Sequence, residues 1–203
     1  MRITVFGATG NVGRRLVTEA RARGHEVTAV SRTPNPGTRT GDAANIDDVI
    51  ALSAGQDIVI SATRPGAGRE KDLVTTTESL LAGLRRTGVR LLLVGGSATL
   101  TDPSTGTLVV DAPDFPASWR PIALACAAQL DVVRTETAVD WAYVSPPALI
   151  EPGNRTGRYR LGADELVVDA DGNSAISMED FAVALLDEAE RPKHHRTRFT
   201  VGW

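Results

Sequence analysis

Three glycines spaced three apart, Gly7, Gly10 and Gly13, stand between an apolar run, Ile3-Thr4-Val5-Phe6, and a helical pattern. In that pattern Val12, Leu16, Val17 and Ala20 share one face, and Arg14, Arg15, Glu19 and Arg21 the other. The stretch Gly7-Ala8-Thr9-Gly10-Asn11-Val12-Gly13 therefore reads as a strand-to-helix turn, and its chemistry is anion binding. Gly7 permits the tight turn, Gly10 lets the backbone approach a pyrophosphate, and Gly13 lets the helix pack on the strand. The helix N-terminus adds N–H groups and a partial positive charge. A second strand, Glu26 to Val30, completes the βαβ context that separates such a turn from an ordinary glycine-rich loop.

Other candidate residues fall where later strands end. Ser31-Arg32-Thr33-Pro34 follows the second strand, and no Asp or Glu lies between Val27 and Gly41. An acid here would hold the ribose 2′-hydroxyl of NAD, whereas an arginine accommodates the 2′-phosphate of NADP. Arg32 therefore favours NADP(H), with NAD(H) as the second choice and Arg39 within reach of the same site. Ser61-Ala62-Thr63-Arg64-Pro65-Gly66 ends the fourth strand and should pass the cofactor at the switch point of the sheet. Gly95-Gly96-Ser97 ends the fifth, and Ser145-Pro146-Pro147 ends the sixth. A turn residue is the competing reading for Ser97.

The elements that must position these residues can be read in order. Residues 34–41 form a loop with at most a short third strand. A short helix spans 46–52, a strand 56–62, and a helix 72–87 closed by Gly88. A continuously apolar strand, 90–94, is central. Residues 98–120, with Pro103, Gly106, Pro113 and Pro116, read as a binding loop in which Phe115 and Trp119 wall an acceptor. A helix from Pro121 to about Ala138 precedes a strand at 140–144. Segments 157–162 and 165–169 read as a hairpin-like pair. Ser177 caps a helix over 181–190, and 198–201 is a last strand. The expected fold class is α/β: a doubly wound, mostly parallel sheet (Rossmann fold) of order 3-2-1-4-5-6 with small C-terminal additions at one edge. One domain spans 1–203, with its substrate side built by about 98–120 and 145–175.

Composition narrows the partners. The chain has 203 residues, a net charge of -3 and 42% hydrophobic residues, which fits a globular protein and not a general nucleic-acid binder. No apolar run approaches membrane-spanning length and no signal peptide precedes the first strand, so a soluble cytoplasmic protein, monomer or homodimer, is expected. Cys126 is the sole cysteine, which precludes an intrachain disulfide. His194 and His195 read as a solvated turn, and no metal-ligand spacing is visible. His25, Arg85, Arg86 and Arg90 read as helix-end charges.

Carbonyl reduction needs an acid for the developing alkoxide, and many short-chain dehydrogenases use a Tyr-x-x-x-Lys pair. Here Pro147 and Ala163 stand four residues after Tyr143 and Tyr159, and the only lysines are Lys71 and Lys193. A flavin needs no such acid, because hydride at its ring nitrogen leaves a delocalised anion. Over essentially its whole length the chain resembles the atypical short-chain dehydrogenase/reductases of the NADH-flavin reductase and biliverdin reductase B group. The resemblance rests on the glycine turn, Ser31-Arg32, Gly95-Gly96-Ser97 and Asp111-Ala112-Pro113-Asp114-Phe115-Pro116. Ser145-Pro146-Pro147, Gly157-Arg158-Tyr159-Arg160-Leu161-Gly162 and Arg198-Phe199-Thr200-Val201-Gly202-Trp203 extend it. It implies a nicotinamide cofactor, places Asp42 and Ala43 near the adenine, and gives Ser97 the position of a catalytic serine. The implied activity is hydride transfer to a flavin, quinone or similar planar conjugated acceptor, with flavin a substrate and not a bound prosthetic group. The alternative is a non-catalytic NADP(H)-binding redox sensor resembling the NmrA-like regulators.

Overall fold

A computed structural model describes all residues, Met1–Trp203. In chain order its first half comprises β1 (Arg2–Phe6), α1 (Asn11–Ala22), β2 (Glu26–Ser31), β3 (Arg39–Thr40), α2 (Ile46–Ser53), β4 (Ile58–Ser61) and α3 (Asp72–Thr87). The second half comprises β5 (Arg90–Val94), α4 (Arg120–Arg134), β6 (Trp141–Ser145), β7 (Leu149–Glu151), β8 (Arg160–Gly162), β9 (Ala175–Ser177), α5 (Met178–Glu190) and β10 (Thr197–Gly202).

Eight strands form one sheet in the order β3-β2-β1-β4-β5-β6-β10-β8. All neighbours are parallel except β8, which runs antiparallel to β10. The central strands are buried on both faces, as their unbroken apolar sequences require. Ile3, Val5, Ile58, Ile60, Leu92, Ala142 and Val144 pack beneath α1 and α5. Phe6, Val59, Leu91, Leu93, Trp141 and Tyr143 pack beneath α2, α3 and α4. The chain thus winds outward from β1 in both directions, and a crevice opens where the carboxyl ends of β1 and β4 diverge.

Several details differ from the sequence reading. Helix α4 stops at Arg134, because the Glu136 carboxylate accepts Ala138 N–H and Val139 N–H and its carbonyl accepts the Trp141 indole. Residues 157–162 and 165–169 do not form a hairpin with each other. Leu161 pairs with Val201 instead, and Leu166 N–H donates to the Thr101 carbonyl. The cause lies in Arg198, which β10 directs at Asp164 and at the Thr99 carbonyl, drawing both segments to itself. A small parallel sheet, β7 with β9, was not visible in the sequence.

Arg85 and Arg86 lie in the last turn of α3 as expected, whereas Arg90 and His25 depart from helix-end roles. Arg90 opens β5 and binds Glu188 and Asp140, and Arg85 binds Glu136. His25 lies beyond α1 and contacts Glu190 at 2.7 Å. His194 is not a solvated turn residue: it stacks on Phe199 and contacts Glu188, while His195 meets Asp140. The Ser177 cap forms as expected, its hydroxyl accepting Asp180 N–H at 3.0 Å. No helix is long and apolar enough to cross a membrane.

Candidate functional site

The carboxyl ends of β1, β2, β4, β5 and β6 open into one continuous cleft of about 1620 Å³. Its first half is built from the glycine turn. Gly7 has φ +77°, and a Cβ there would sit 2.6 Å from the Ala62 carbonyl oxygen, so both conformation and space demand glycine. A side chain at Gly13 would collide with the Gly7 carbonyl, which is how α1 comes close to β1. Gly10 lines the cleft as the N-cap of α1 and supplies no capping side chain. Asn45 caps α2 and Ser177 caps α5, whereas α3 and α4, like α1, have no capping side chain. The first turn of α1 also carries no acid, and the N–H groups of Asn11, Val12 and Gly13 find no acceptor in the protein. An uncapped helix N-terminus facing a cleft is a cradle for an anion. The residues present therefore fit the pyrophosphate of a dinucleotide.

Beyond β2 the cleft runs along Ser31, Arg32 and Thr33. The Ser31 hydroxyl is turned back onto the Thr33 carbonyl, whereas the Arg32 guanidinium is exposed and makes no ion pair. Arg39, on edge strand β3, is exposed and does not line the cleft. Asp42 and Ala43 both line it. Asp42 is also a turn residue, its carboxylate accepting Ala44 N–H at 2.9 Å.

Midway, Ala62, Thr63, Ser97, Pro146 and Pro147 reach the cleft, as do Thr9, Asn11 and Val12. The Ser97 carbonyl closes a turn with Leu100 N–H, but its hydroxyl has no partner in the protein. Ala8, Gly13, Ser61 and Ser145 stand behind the wall and do not line it. Ser61 is buried and bonds Thr63 Oγ1 at 3.1 Å. Ser145 is buried with its hydroxyl unpartnered. Both are the last residue of a strand on the face that turns into the core, so the following residue meets the cleft instead.

The second half is apolar. Phe115 packs on Ala98, Val110 and Ala123, and Arg120 lies 5.8 Å over its ring. Trp119 lines the rim with 55% of its surface exposed. The sequence reading missed Ile122 and Cys126, one turn apart on the cleft face of α4, and Met178 and Phe181 at the start of α5. The i, i+4 spacing of Ile122 and Cys126 carried that signal. Arg64, three residues beyond β4 and within the strand end expected to pass the cofactor, lines the cleft.

Neither tyrosine lines the cleft. Tyr143 is buried, donates to the Cys126 carbonyl at 3.1 Å and accepts Gly96 N–H at 3.3 Å. Burial pushes its hydroxyl far above the usual range. Tyr159 donates to Asp187 at 2.6 Å, and burial and that carboxylate hold it well above its usual value. Burial pushes the Cys126 thiol up to about 11, so it is not a thiolate nucleophile at neutral pH.

Residues 7–192 match the model of a family described as NAD(P)H-binding. The chain belongs to this NAD(P)H-binding family. The uncharacterized protein YwnB of Bacillus subtilis is 36% identical, covering 99% of this chain and 98% of its own. A Burkholderia pseudomallei structure, whose name provisionally marks it as exported, is 40% identical with TM-score 0.91 and covers 100% of both chains. A Streptococcus pneumoniae structure, provisionally named an NADH-flavin reductase, is 34% identical with TM-score 0.87, covering 100% of this chain and 99% of that one. The NAD(P)H-binding assignment agrees with the uncapped α1 N-terminus, and the fold is that of an atypical short-chain dehydrogenase/reductase.

Proposed function

We propose that the protein is an NAD(P)H-dependent reductase that delivers hydride to a flavin, quinone or similar planar conjugated acceptor, with NADP(H) preferred. One observation carries this reading. A single cleft joins an anion cradle to an apolar compartment, and its volume of about 1620 Å³ exceeds the roughly 300–1,000 Å³ of a one-ligand pocket. It has room for a dinucleotide and a second planar molecule side by side.

The roles follow from position. The N–H groups of Asn11 and Val12 hold the pyrophosphate, and Arg32 pairs with the 2′-phosphate. When bound, the reduced nicotinamide supplies the hydride. Ser97 uses its free hydroxyl to orient the acceptor or the carboxamide, and it lacks the histidine neighbour a nucleophile would need. Phe115, Ile122 and Pro146 press an acceptor ring against that position and exclude water. The absence of a tyrosine acid from the cleft favours an acceptor whose reduced form is a delocalised anion, since water suffices to protonate it.

The test is turnover. Protein, NADPH and FMN or a quinone are mixed and nicotinamide absorbance is followed. The proposal expects catalytic loss of absorbance that depends on the acceptor. Binding of NADPH with no turnover of any planar acceptor would contradict it and place the chain with the sensors.

A further inference from the structure

Tyr143 carries a buried hydroxyl that does not reach the cleft. It stands opposite Leu93 on the α4 side of the sheet, and its ring runs forward beneath the end of β5. A Cβ at Gly95 would run into that ring, and one at Gly96 would sit 3.0 Å from the Cys126 side chain on α4. The glycine pair is what lets strand end, phenol and helix meet. Two glycines in succession also leave the backbone its greatest freedom, and here they carry Ser97. The last ladder bond of β5 runs from Gly95 N–H to the Val144 carbonyl at 3.0 Å. Beyond it, Gly96 donates its N–H to the Tyr143 hydroxyl at 3.3 Å, and that hydroxyl donates in turn to the Cys126 carbonyl at 3.1 Å. One buried oxygen thus ties the residue before Ser97 to the helix face that lines the cleft with Ile122 and Cys126. On the far side of Ser97, Arg198 donates to the Thr99 carbonyl and hydroxyl. A phenylalanine would fill the same space, so packing alone does not account for the hydroxyl, whereas its two bonds do.

We propose that Tyr143 is a positioning residue of the reductase: its hydroxyl fixes the Gly95-Gly96-Ser97 turn against α4 and so holds the Ser97 hydroxyl at the acceptor. This rests on the planar-acceptor reading above and on the role given there to Ser97. Tyr143 takes no part in proton transfer, because its oxygen stands behind the cleft wall with its proton committed to Cys126. It acts only through Ser97, so the two residues form one unit whose losses do not add.

The experiment is a double-mutant cycle of Tyr143→Phe, Ser97→Ala and the double variant, with NADPH and FMN or a quinone as substrates. The readouts are kcat and the acceptor KM from nicotinamide absorbance, and NADPH affinity from calorimetry. Tyr159→Phe is the control, since it removes a hydroxyl bonded to Asp187, away from the cleft. Tyr143→Phe is expected to lower kcat about two- to tenfold, the value of one hydrogen bond, with NADPH affinity unchanged. The double variant should match Ser97→Ala, and Tyr159→Phe should match wild type. Unchanged kcat in Tyr143→Phe, or losses that multiply in the double variant, overturns the role of Tyr143 and leaves the planar-acceptor reading standing. An equal fall of kcat in Tyr159→Phe overturns it as well, because the effect is then one of general loosening. A wild type that turns over no planar acceptor overturns both.

Discussion

The two ends of the sheet treat charge in opposite ways. At the amino ends, Arg90 is met by Glu188 at 2.8 Å, by the His194 carbonyl at 2.7 Å and by Asp140 at 3.2 Å. Glu188 also accepts the N–H groups of Lys193 and His194. Burial opposes its charge, yet the bonds from Arg90 and His194 hold its carboxyl below the usual value. At the carboxyl ends, Arg32, the Ser97 hydroxyl and the first N–H groups of α1 face the cleft with no acceptor or donor of their own. A charge whose partners lie within the protein contributes to stability, whereas one left open in a cleft awaits a ligand.

The largest effect should come from breaking the paired end. Glu188→Ala leaves the Arg90 guanidinium, with only 10% of its side chain exposed, short of its main carboxylate. Because Asp140 and the His194 carbonyl remain, the expected loss is about 3 kcal/mol, the lower end for a broken buried pair. Urea unfolding reads this, and NADPH affinity of the folded variant should not change. A stability loss below about 1 kcal/mol would mean that the paired end is not built on this contact.

At the open end the signs reverse. Arg32→Ala should leave unfolding unchanged and weaken NADPH by roughly 1.5–3 kcal/mol, about ten- to hundredfold, with NADH nearly unaffected. Arg32→Asp should invert the preference, since it repels the 2′-phosphate and offers an acceptor to a ribose hydroxyl. The ratio of kcat/KM for the two cofactors measures both. A wild type that already prefers NADH, or a ratio that moves in neither variant, would remove Arg32 from the site. Ser97→Ala should lower turnover about two- to tenfold, the value of one hydrogen bond, with little change in cofactor affinity. Untouched turnover would leave Ser97 as a turn residue only.

The smallest effect concerns the surface network on α1 and α5. The hydrogen bond from Arg155, and behind it Arg23, bring the Glu19 carboxyl down to about 2, against the pull of burial. A carboxyl lowered on folding contributes stability that is present above about 4.5 and fades as pH falls towards 2. Arg155 is exposed, so Arg155→Ala should cost less than about 1 kcal/mol at pH 7. That cost should shrink towards zero near pH 2, and a cost independent of pH would show that Glu19 does not carry it.

The same contrast explains what the sequence revealed. The glycine turn, the order of the parallel strands and Arg32 were legible because each depends on local periodicity and on strand ends. Ser61 and Ser145 were read as lining residues because a strand end shows position but not which face its last side chain takes. The partner of residues 160–162 was not legible, since Arg198 sets it from far along the chain. The cleft face of α4, with Ile122 and Cys126, became visible only once the helix was docked on the sheet.

Calorimetric titration of NADPH into wild type and Gly10→Val tests the central claim, that the uncapped glycine turn holds the dinucleotide. Gly10 has φ -72°, and a Cβ would lie 3.3 Å from the Gly7 carbonyl oxygen, so valine strains the turn only slightly while projecting where the pyrophosphate must lie. The account predicts saturable binding to wild type and loss of nearly all of it in Gly10→Val, with the unfolding midpoint close to that of wild type. Equal NADPH affinity in the two proteins would contradict it.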